Sequence, residues 1–353
     1  MKKDIKSLSL AELEADMIEM GEKAFRAKQI YQWMHQKLAT SFDEMTNLSK
    51  EIRNRCKERY DLTVLEMVER KVSAIDGTQK YLFRLEDGNV IESVLMKYQH
   101  GNSVCISSQA GCRMGCRFCA STLDGLERCL TPSEMLEQIY RISQISKERV
   151  SHVVIMGTGE PLDNYDSVLR FLLLISDPYG LHISQRNITL STCGLVPKIR
   201  KLAEEQLQIT LALSLHAPND EIRRKLMPIA NRYSIEETLA VCREYFEKTK
   251  RRISFEYSLI QGLNDQEEHA HCLAKKIVHM NCHVNLIPVN PIQEREYRQT
   301  ERAEIDRFKK VLEKNGINVT IRREMGRDIQ GACGQLRKGY QSRQKGRKES
   351  SEI

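Results

Sequence analysis

Residues 103–119 read SVCISSQAGCRMGCRFC, a short apolar run followed by a loop that contains Cys112, Cys116 and Cys119. Their spacing is C-x3-C-x2-C, and three thiolates so close together can bind one metal centre. Structural zinc sites and electron-transfer [4Fe–4S] clusters normally use four protein ligands, so three cysteines leave one iron of a cluster open. The pattern favours an iron–sulfur cluster. The alternative is a zinc site completed by a distant Cys or His, although zinc knuckles favour C-x2-C pairs.

From this segment onward the sequence alternates between strand-like and helix-like patterns. Such alternation is typical of parallel strands joined by crossover helices, and six or seven units favour a TIM-like partial (β/α)6 barrel. We assign this α/β barrel to residues 98–330 and expect its chemistry where the strands end. The strand-like runs are 103–107, 152–156, 187–191, 209–215, 253–259, 283–289 and 318–322.

The first part of the chain carries helix signals and no cluster of reactive side chains. Ser9 and Glu12 have the spacing of a capping box ahead of an amphipathic run, and the pattern repeats after Gly21. Residues 1–60 are therefore predicted to form a helical accessory domain.

Residues 61–97 show the two-residue period of strands. Apolar and polar residues alternate over 80–84 and 90–95, on either side of a turn signal at Asp87-Gly88-Asn89. This predicts a small antiparallel β-hairpin extension. At the other end, residues 331–353 combine a Gly-rich segment around Cys333 with a basic tail.

Composition limits the class of protein. The chain has 353 residues, of which 41% are hydrophobic, enough for a sizeable core. No stretch reaches the roughly 20 apolar residues of a membrane span, and the first residues lack a signal-peptide core. Eleven cysteines, an odd number, argue against a disulfide framework. We expect a cytoplasmic protein that does not enter membranes, and a monomer.

Positive charge is clustered. The net charge is +7, and three basic clusters carry much of it: residues 337–348, residues 248–252, and Arg322, Arg323 and Arg327. Clustered cations bind polyanions through counterion release and so suit a nucleic-acid partner, with a solvated surface as the alternative for any single cluster.

The cysteine loop resembles the signature of radical S-adenosylmethionine (SAM) enzymes, C-x3-C-x-aromatic-C, with Phe118 as the aromatic residue. Five further segments are similar to the RlmN/Cfr family of RNA methyltransferases, over about residues 21–336. They are GTGEP at 157–161, STCG at 191–194, SLH at 214–216, NLIPVNP at 285–291 and ACGQL at 332–336.

The resemblance implies a [4Fe–4S] cluster on Cys112, Cys116 and Cys119 and two SAM molecules per turnover. It also implies a set of SAM-binding residues, most of them at or just past strands. A carboxylate after a glycine can accept the SAM amino group, and small polar side chains at strand ends can contact its ribose and carboxylate. The implied set is Gly159, Glu160, Ser191, Ser214, Leu215, His216, Asn290 and Phe118.

The resemblance also implies roles for three further residues. Cys333 is the methyl carrier, forming an S-methylcysteine intermediate. Cys105 is the resolving thiol that attacks Cys333 and forms a disulfide with it. Glu92 is the proton acceptor. Such a route suits adenine C2, because this carbon is not nucleophilic and cannot attack the SAM methyl group directly.

By resemblance, the substrates are an adenosine of 23S ribosomal RNA near the peptidyl transferase centre and an adenosine beside the anticodon of certain tRNAs. The base must leave its stack to reach a barrel interior. An electron donor such as flavodoxin or ferredoxin reduces the cluster.

Departures from the family pattern and alternative functions complete the expectations. Gln330 and Gly331 stand where the family has Asp and Ala, and Ser121-Thr122 stands where it has Thr-Gly. The alternatives are Cfr-type methylation of C8, a radical SAM enzyme of another purpose, and a non-catalytic zinc-containing RNA-binding protein.

Overall fold

The computed structural model describes residues 2–290, 295–329 and 340. The chain starts with three helices, and a short parallel pairing of β1 (Lys3–Asp4) with β2 (Tyr60–Asp61) closes this part. Ser9 and Glu12 make both hydrogen bonds of the predicted capping box, and Ser49 caps the third helix. The helices are α1 (Leu10–Glu19), α2 (Phe25–His35) and α3 (Lys50–Arg59).

The β-extension has three antiparallel strands, one more than the predicted hairpin. They are β3 (Glu66–Val72), β4 (Gln79–Arg84) and β5 (Val90–Tyr98). The hairpin prediction overlooked β3 because its sequence, EMVERKV, is mostly charged and lies on the edge of the sheet. The extension is also not separate from the barrel, since β5 pairs antiparallel with β6 (Gly101–Cys105).

A separate antiparallel hairpin of β7 (Gln109–Gly111) and β8 (Leu126–Cys129) follows β6. The later strands are β9 (Val150–Ile155), β10 (Ile188–Thr192), β11 (Thr210–Ser214), β12 (Ile253–Leu259), β13 (Cys282–Pro288) and β14 (Asn318–Ile321). Together with β6 they form a parallel block in the order β6, β9, β10, β11, β12, β13 and β14.

Helices connect the consecutive parallel strands, as crossover connections between parallel strands require. Six strand–helix units precede the last strand, in agreement with the predicted partial barrel. The helices are α4 (Pro132–Ser146), α5 (Tyr165–Ser176), α6 (Val196–Glu204), α7 (Asp220–Leu226), α8 (Ile235–Thr249), α9 (Glu267–Ile277) and α10 (Arg302–Lys314). In the described part of the chain, β3 and β14 are the ends of one ten-stranded sheet, so the barrel is open.

The N-terminal helices share one hydrophobic core with the barrel. Lys6, fully buried, bonds Glu137 of α4 at 2.5 Å and the carbonyl of Thr63 at 2.8 Å. The second oxygen of Glu137 accepts the Leu65 N–H. The accessory helices are therefore fixed to the barrel by buried polar bonds as well as apolar packing. No helix among the described residues is long and apolar enough to span a bilayer.

Candidate active site

A cavity of about 470 Å³ lies at the carboxyl ends of the parallel strands. Side chains from β5, β6, the cysteine loop and β9–β13 line it, together with residues 322–327. Because parallel strands end at one edge of a barrel, this is where the fold places functional groups. The volume is within the usual range of small-molecule sites.

The three cysteines lie between β7 and β8, where backbone bonds fix the loop. Gly111 has φ +81°, and a Cβ there would lie 2.1 Å from the Gly125 carbonyl oxygen, so the turn requires glycine. The Cys112 N–H donates to that carbonyl at 2.7 Å. The Thr122 hydroxyl donates to the carbonyls of Cys116 and Cys119 at 3.0 Å each. The Ser121-Thr122 departure from the family pattern thus supplies a bond that closes the loop.

The thiols of Cys112, Cys116 and Cys119 all border the cavity. Burial raises the pKa of Cys112 to about 12 and that of Cys116 well above its ordinary value, and Cys119 adds to both shifts. No three His, Cys, Asp or Glu side chains of the described residues already converge as metal ligands. By its chemistry the donor set fits iron ions, whose positive charge would stabilise the buried thiolates.

Gly159 and Glu160 follow β9 and form another wall. Gly159 has φ +112°, and a Cβ there would lie 2.7 Å from the Gln109 Cβ. Glu160 is buried and accepts the N–H groups of Cys193 at 2.7 Å and Leu162 at 3.1 Å, while burial raises its pKa. The carboxylate borders the cavity and also holds the loop that follows β10.

The predicted residues after β10 and β11 meet at the same cavity. The hydroxyl oxygens of Ser191 and Ser214 lie 3.4 Å apart. His216 Nδ1 accepts the Ser258 N–H at 2.9 Å, so the neutral ring carries its proton on Nε2. Burial lowers the pKa of His216 to about 3. The Phe118 ring packs edge-on against it, with centroids 4.8 Å apart.

Two of the predicted SAM-binding residues differ from the others in burial or in their position relative to the cavity. Asn290 borders the cavity and is exposed. The Leu215 side chain is fully buried in the hydrophobic core and does not line the cavity. The backbone groups of Leu215 are bonded within the fold, since the N–H donates to the Glu256 carbonyl at 3.0 Å and the carbonyl accepts from Arg223 at 3.3 Å.

Cys105 and Glu92 lie on the wall formed by β5 and β6. Cys105 is directly opposite Val94, and both side chains line the cavity. Glu92 precedes Val94 by two residues and therefore shares its face of the strand. Glu92 is buried, is not among the residues that line the cavity, and has one oxygen 3.2 Å from the Lys80 Nζ. Cys333, Gln330 and Gly331 lie outside the described residues.

The sequence analysis missed an acidic group inside the barrel. Glu256 of β12 lines the cavity and accepts bonds from Asn285 at 2.8 Å and Ser254 at 2.9 Å. Burial raises its pKa. The signal was available, since Ser254, Glu256 and Ser258 alternate with apolar residues and so place polar groups on the inward face of a barrel strand.

The basic clusters have different positions. Arg322, Arg323 and Arg327 line the cavity entrance and are exposed. Residues 248–252 lie at the end of α8 and before β12, at the opposite end of the strands. Lys248 there bonds Glu204. Only the first of these two clusters is placed to contact a substrate of this cavity.

Comparison with known proteins gives consistent matches. Residues 106–273 match the model of the radical SAM superfamily, and residues 3–62 match the ribosomal RNA large subunit methyltransferase N-terminal domain. The chain is 66% identical over 337 residues to a probable dual-specificity RNA methyltransferase RlmN of Lachnospira eligens, covering 96% of each chain. A protein of the same description from Lachnoclostridium phytofermentans is 62% identical, with 96% of this chain and 95% of the relative covered.

A solved structure resembles the whole chain. The crystal structure of a radical SAM methyltransferase from Sphaerobacter thermophilus matches with a TM-score of 0.90 and 42% identity. The match covers 94% of this chain and 98% of that one.

Proposed function

The chain belongs to the RlmN family of radical SAM RNA methyltransferases, and we propose that it methylates C2 of an adenosine in 23S ribosomal RNA and of an anticodon-adjacent adenosine in tRNA. One observation carries the proposal: a single cavity brings the three-cysteine loop together with Cys105 and with the residues that follow β9, β10 and β11. A cluster, SAM and an RNA base have to meet in one such space for this reaction.

The cofactors of this enzyme are a [4Fe–4S] cluster and SAM. Cys112, Cys116 and Cys119 would hold the cluster, and Glu160, Ser191, Ser214, His216 and Asn290 would contact SAM. When bound, the reduced cluster and SAM supply hydrogen-atom abstraction from an unactivated C–H bond.

The chain's own residues then divide the remaining work. The Cys333 thiolate accepts a methyl group from one SAM, and after hydrogen abstraction its S-bound carbon joins adenine C2. Glu92 removes the C2 proton, and the unpaired electron of the adduct would pass to the oxidised cluster. Cys105 attacks the Cys333 sulfur and breaks its bond to the methylene carbon, which takes up a proton, so the methylated base is released and a Cys105–Cys333 disulfide remains for an external reductant to reopen. The short separation of β5 and β6 supports these roles, since Glu92 and Cys105 lie on one face of that sheet.

Binding of RNA follows from the basic entrance. The cations of Arg322, Arg323 and Arg327 are placed to contact phosphates while the target base enters the cavity. We propose flavodoxin or ferredoxin as the electron donor.

The test is anaerobic turnover with SAM and ribosomal RNA or tRNA, followed by nucleoside mass analysis. We expect 2-methyladenosine from the enzyme and from Cys272→Ala, a control thiol outside the cavity lining, and none from Cys333→Ala. Methylation by Cys333→Ala would overturn the mechanism, and 8-methyladenosine would indicate Cfr-type regiochemistry. Iron and sulfide contents of about four atoms each per chain would exclude the zinc alternative.

A further inference from the structure

Arg223 of α7 is fully buried, with relative exposure of 0%. Its Nη2 donates to the Cys193 carbonyl at 2.8 Å and its Nε to the Leu215 carbonyl at 3.3 Å. These carbonyls follow β10 and β11, the strands that carry Ser191 and Ser214. Within the described residues, the third nitrogen, Nη1, is buried with no hydrogen-bond partner.

The helix that carries Arg223 contacts the cysteine loop directly. The Leu226 carbonyl accepts the Arg117 N–H at 2.8 Å. Pro228, just after α7, lies 3.4 Å from the position of a Cβ on Gly115. Cys116 and Phe118 pack against an apolar cluster to which the same helix contributes Ile222 and Leu226. The guanidinium is thus held beside the loop by a fixed backbone.

The surroundings of Arg223 offer little compensation for its charge. The titratable groups that face it are Cys193 after β10, Cys116 of the loop, Cys242 of α8, His216 after β11 and Asp220 of its own helix. The Asp220 carboxylate accepts the Ile235 N–H at 2.7 Å. Among the described residues, the side-chain hydrogen bonds of Arg223 go only to carbonyl oxygens.

A buried cation bonded only to carbonyls is costly unless an anion lies close by. A cluster held by three thiolates is such an anion, and the loop that would hold it hydrogen-bonds to and packs against the helix of Arg223. Arg223 therefore has the position and the free donor expected of a counter-charge to the cluster.

We propose that Arg223 is a positioning residue whose fixed positive charge raises the reduction potential of the cluster, an inference that rests on the proposed ligands Cys112, Cys116 and Cys119. Reduction adds one electron to the cluster, with no bond or proton transferred, and makes it more negative by one charge. A nearby cation stabilises the reduced form more than the oxidised form. The electron comes from the external donor, which is oxidised.

The experiment is a reductive titration of the cluster-loaded enzyme with dithionite and redox mediators, followed by electron paramagnetic resonance, without RNA. In Arg223→Gln we expect about tenfold less reduced cluster at a given potential, which for one electron is a shift of about 59 mV to more negative values. Arg224→Gln is the matched control, because it removes the same charge from an exposed position on the same helix. An Arg223→Gln potential equal to that of the enzyme would overturn the proposal.

A second variant decides the matter if Arg223→Gln does not load iron. A buried Lys loses its proton far more readily than Arg, so the potential of Arg223→Lys should fall relative to the unmodified enzyme between about pH 7 and 10. If the reduction potentials of Arg223→Lys and of the unmodified enzyme change with pH in the same way, the inference is refuted. Failure of both variants to bind iron would also refute it, because Arg223 would then be needed only for folding. Iron analysis of the unmodified enzyme separates these outcomes from failure of the proposed function.

Discussion

At the scale of single residues, several groups that border the cavity also hold the backbone around it, so substituting them would disturb both. Glu160 illustrates this, because its carboxylate bonds two backbone N–H groups and borders the cavity at once. The Glu160 N–H in turn donates to the Gln109 side chain at 2.8 Å. The wall near Gly159 therefore depends on close backbone approach as well as on the carboxylate.

Gly159→Ala tests this wall. The added Cβ would lie within 2.8 Å of Gln109 and Ser108 atoms, at a φ of +112° that L-residues rarely adopt. Strain of this kind costs about 1–3 kcal/mol, and we expect SAM affinity to fall at least about tenfold. The measurement is equilibrium binding of SAM to the cluster-loaded protein. Gly262→Ala is the control, since its φ is +72° and the space around it is open; equal affinities for the two variants would contradict the expectation.

Glu92→Gln tests the proposed base. Without a base the C2 proton stays, so the covalent link between Cys333 and the RNA should persist. We expect methylated product to fall by about 100-fold or more, the contribution typical of general-base catalysis. A protein–RNA adduct should accumulate on denaturing gels. Glu86→Gln, at an exposed position before the same strand, should behave normally. Full methylation by Glu92→Gln would assign the base elsewhere.

At the scale of elements, the polar contacts of α4 fix the accessory part of the chain to the barrel. Glu137 of α4 receives both Lys6 and the Leu65 N–H, and Ser133 of the same helix donates to Asp4 at 2.5 Å. Lys6 and Glu137 are 0% and 2% exposed in their side chains. In such a place, loss of one partner leaves an uncompensated buried charge.

Lys6→Met should therefore lower the free energy of unfolding by about 3–5 kcal/mol. In the double variant Lys6→Met/Glu137→Leu much of this loss should return, because the stranded carboxylate is gone. Urea unfolding followed by circular dichroism measures both. The exposed pair of Lys57 and Asp43 provides the control, and Lys57→Met should cost no more than about 1 kcal/mol. A single variant as stable as the parent would show that the pair is dispensable.

At the scale of the whole molecule, one core joins the N-terminal helices to the barrel, and titratable groups are buried within it. His35 of α2 bonds the Tyr140 hydroxyl of α4 at 2.7 Å. Burial, and then the charge of Lys6, lower the pKa of His35 to about 3. Burial likewise lowers the pKa of His216 to about 3, so the His35 and His216 rings stay neutral in the folded protein at pH values where an unfolded histidine is charged.

These two histidines predict acid sensitivity. Between their unfolded pKa near 6.5 and about 3, the unfolded chain binds more protons, so stability falls as the pH decreases through this range. At pH 5 each of His35 and His216 should cost about 2 kcal/mol relative to pH 7. His35→Gln should remove its share, measured as the change in urea midpoint between the two pH values. The exposed His271→Gln should leave the pH dependence unchanged, and an unaltered dependence in His35→Gln would refute the assignment.

The sequence by itself determined the cysteine loop, the strand–helix alternation and the capping signals, because each depends on spacing within a short segment. It also placed the predicted ligand residues at strand ends, since that follows from where each apolar run stops. The family resemblance supplied roles for Glu92, Cys105 and Cys333 that spacing alone did not.

Only the tertiary structure decided which of these groups share a space. The register of β5 with β6 puts Glu92 and Cys105 on one face, and the curvature of the sheet turns Glu256 inward. The tertiary structure also joined the β-extension to the barrel, buried Leu215 in the core and put Arg223 beside the cysteine loop. Some of these contacts join residues more than a hundred positions apart in the chain, as Arg117 and Leu226 show. They depend on pairing and packing between elements, for which a local pattern carries no signal.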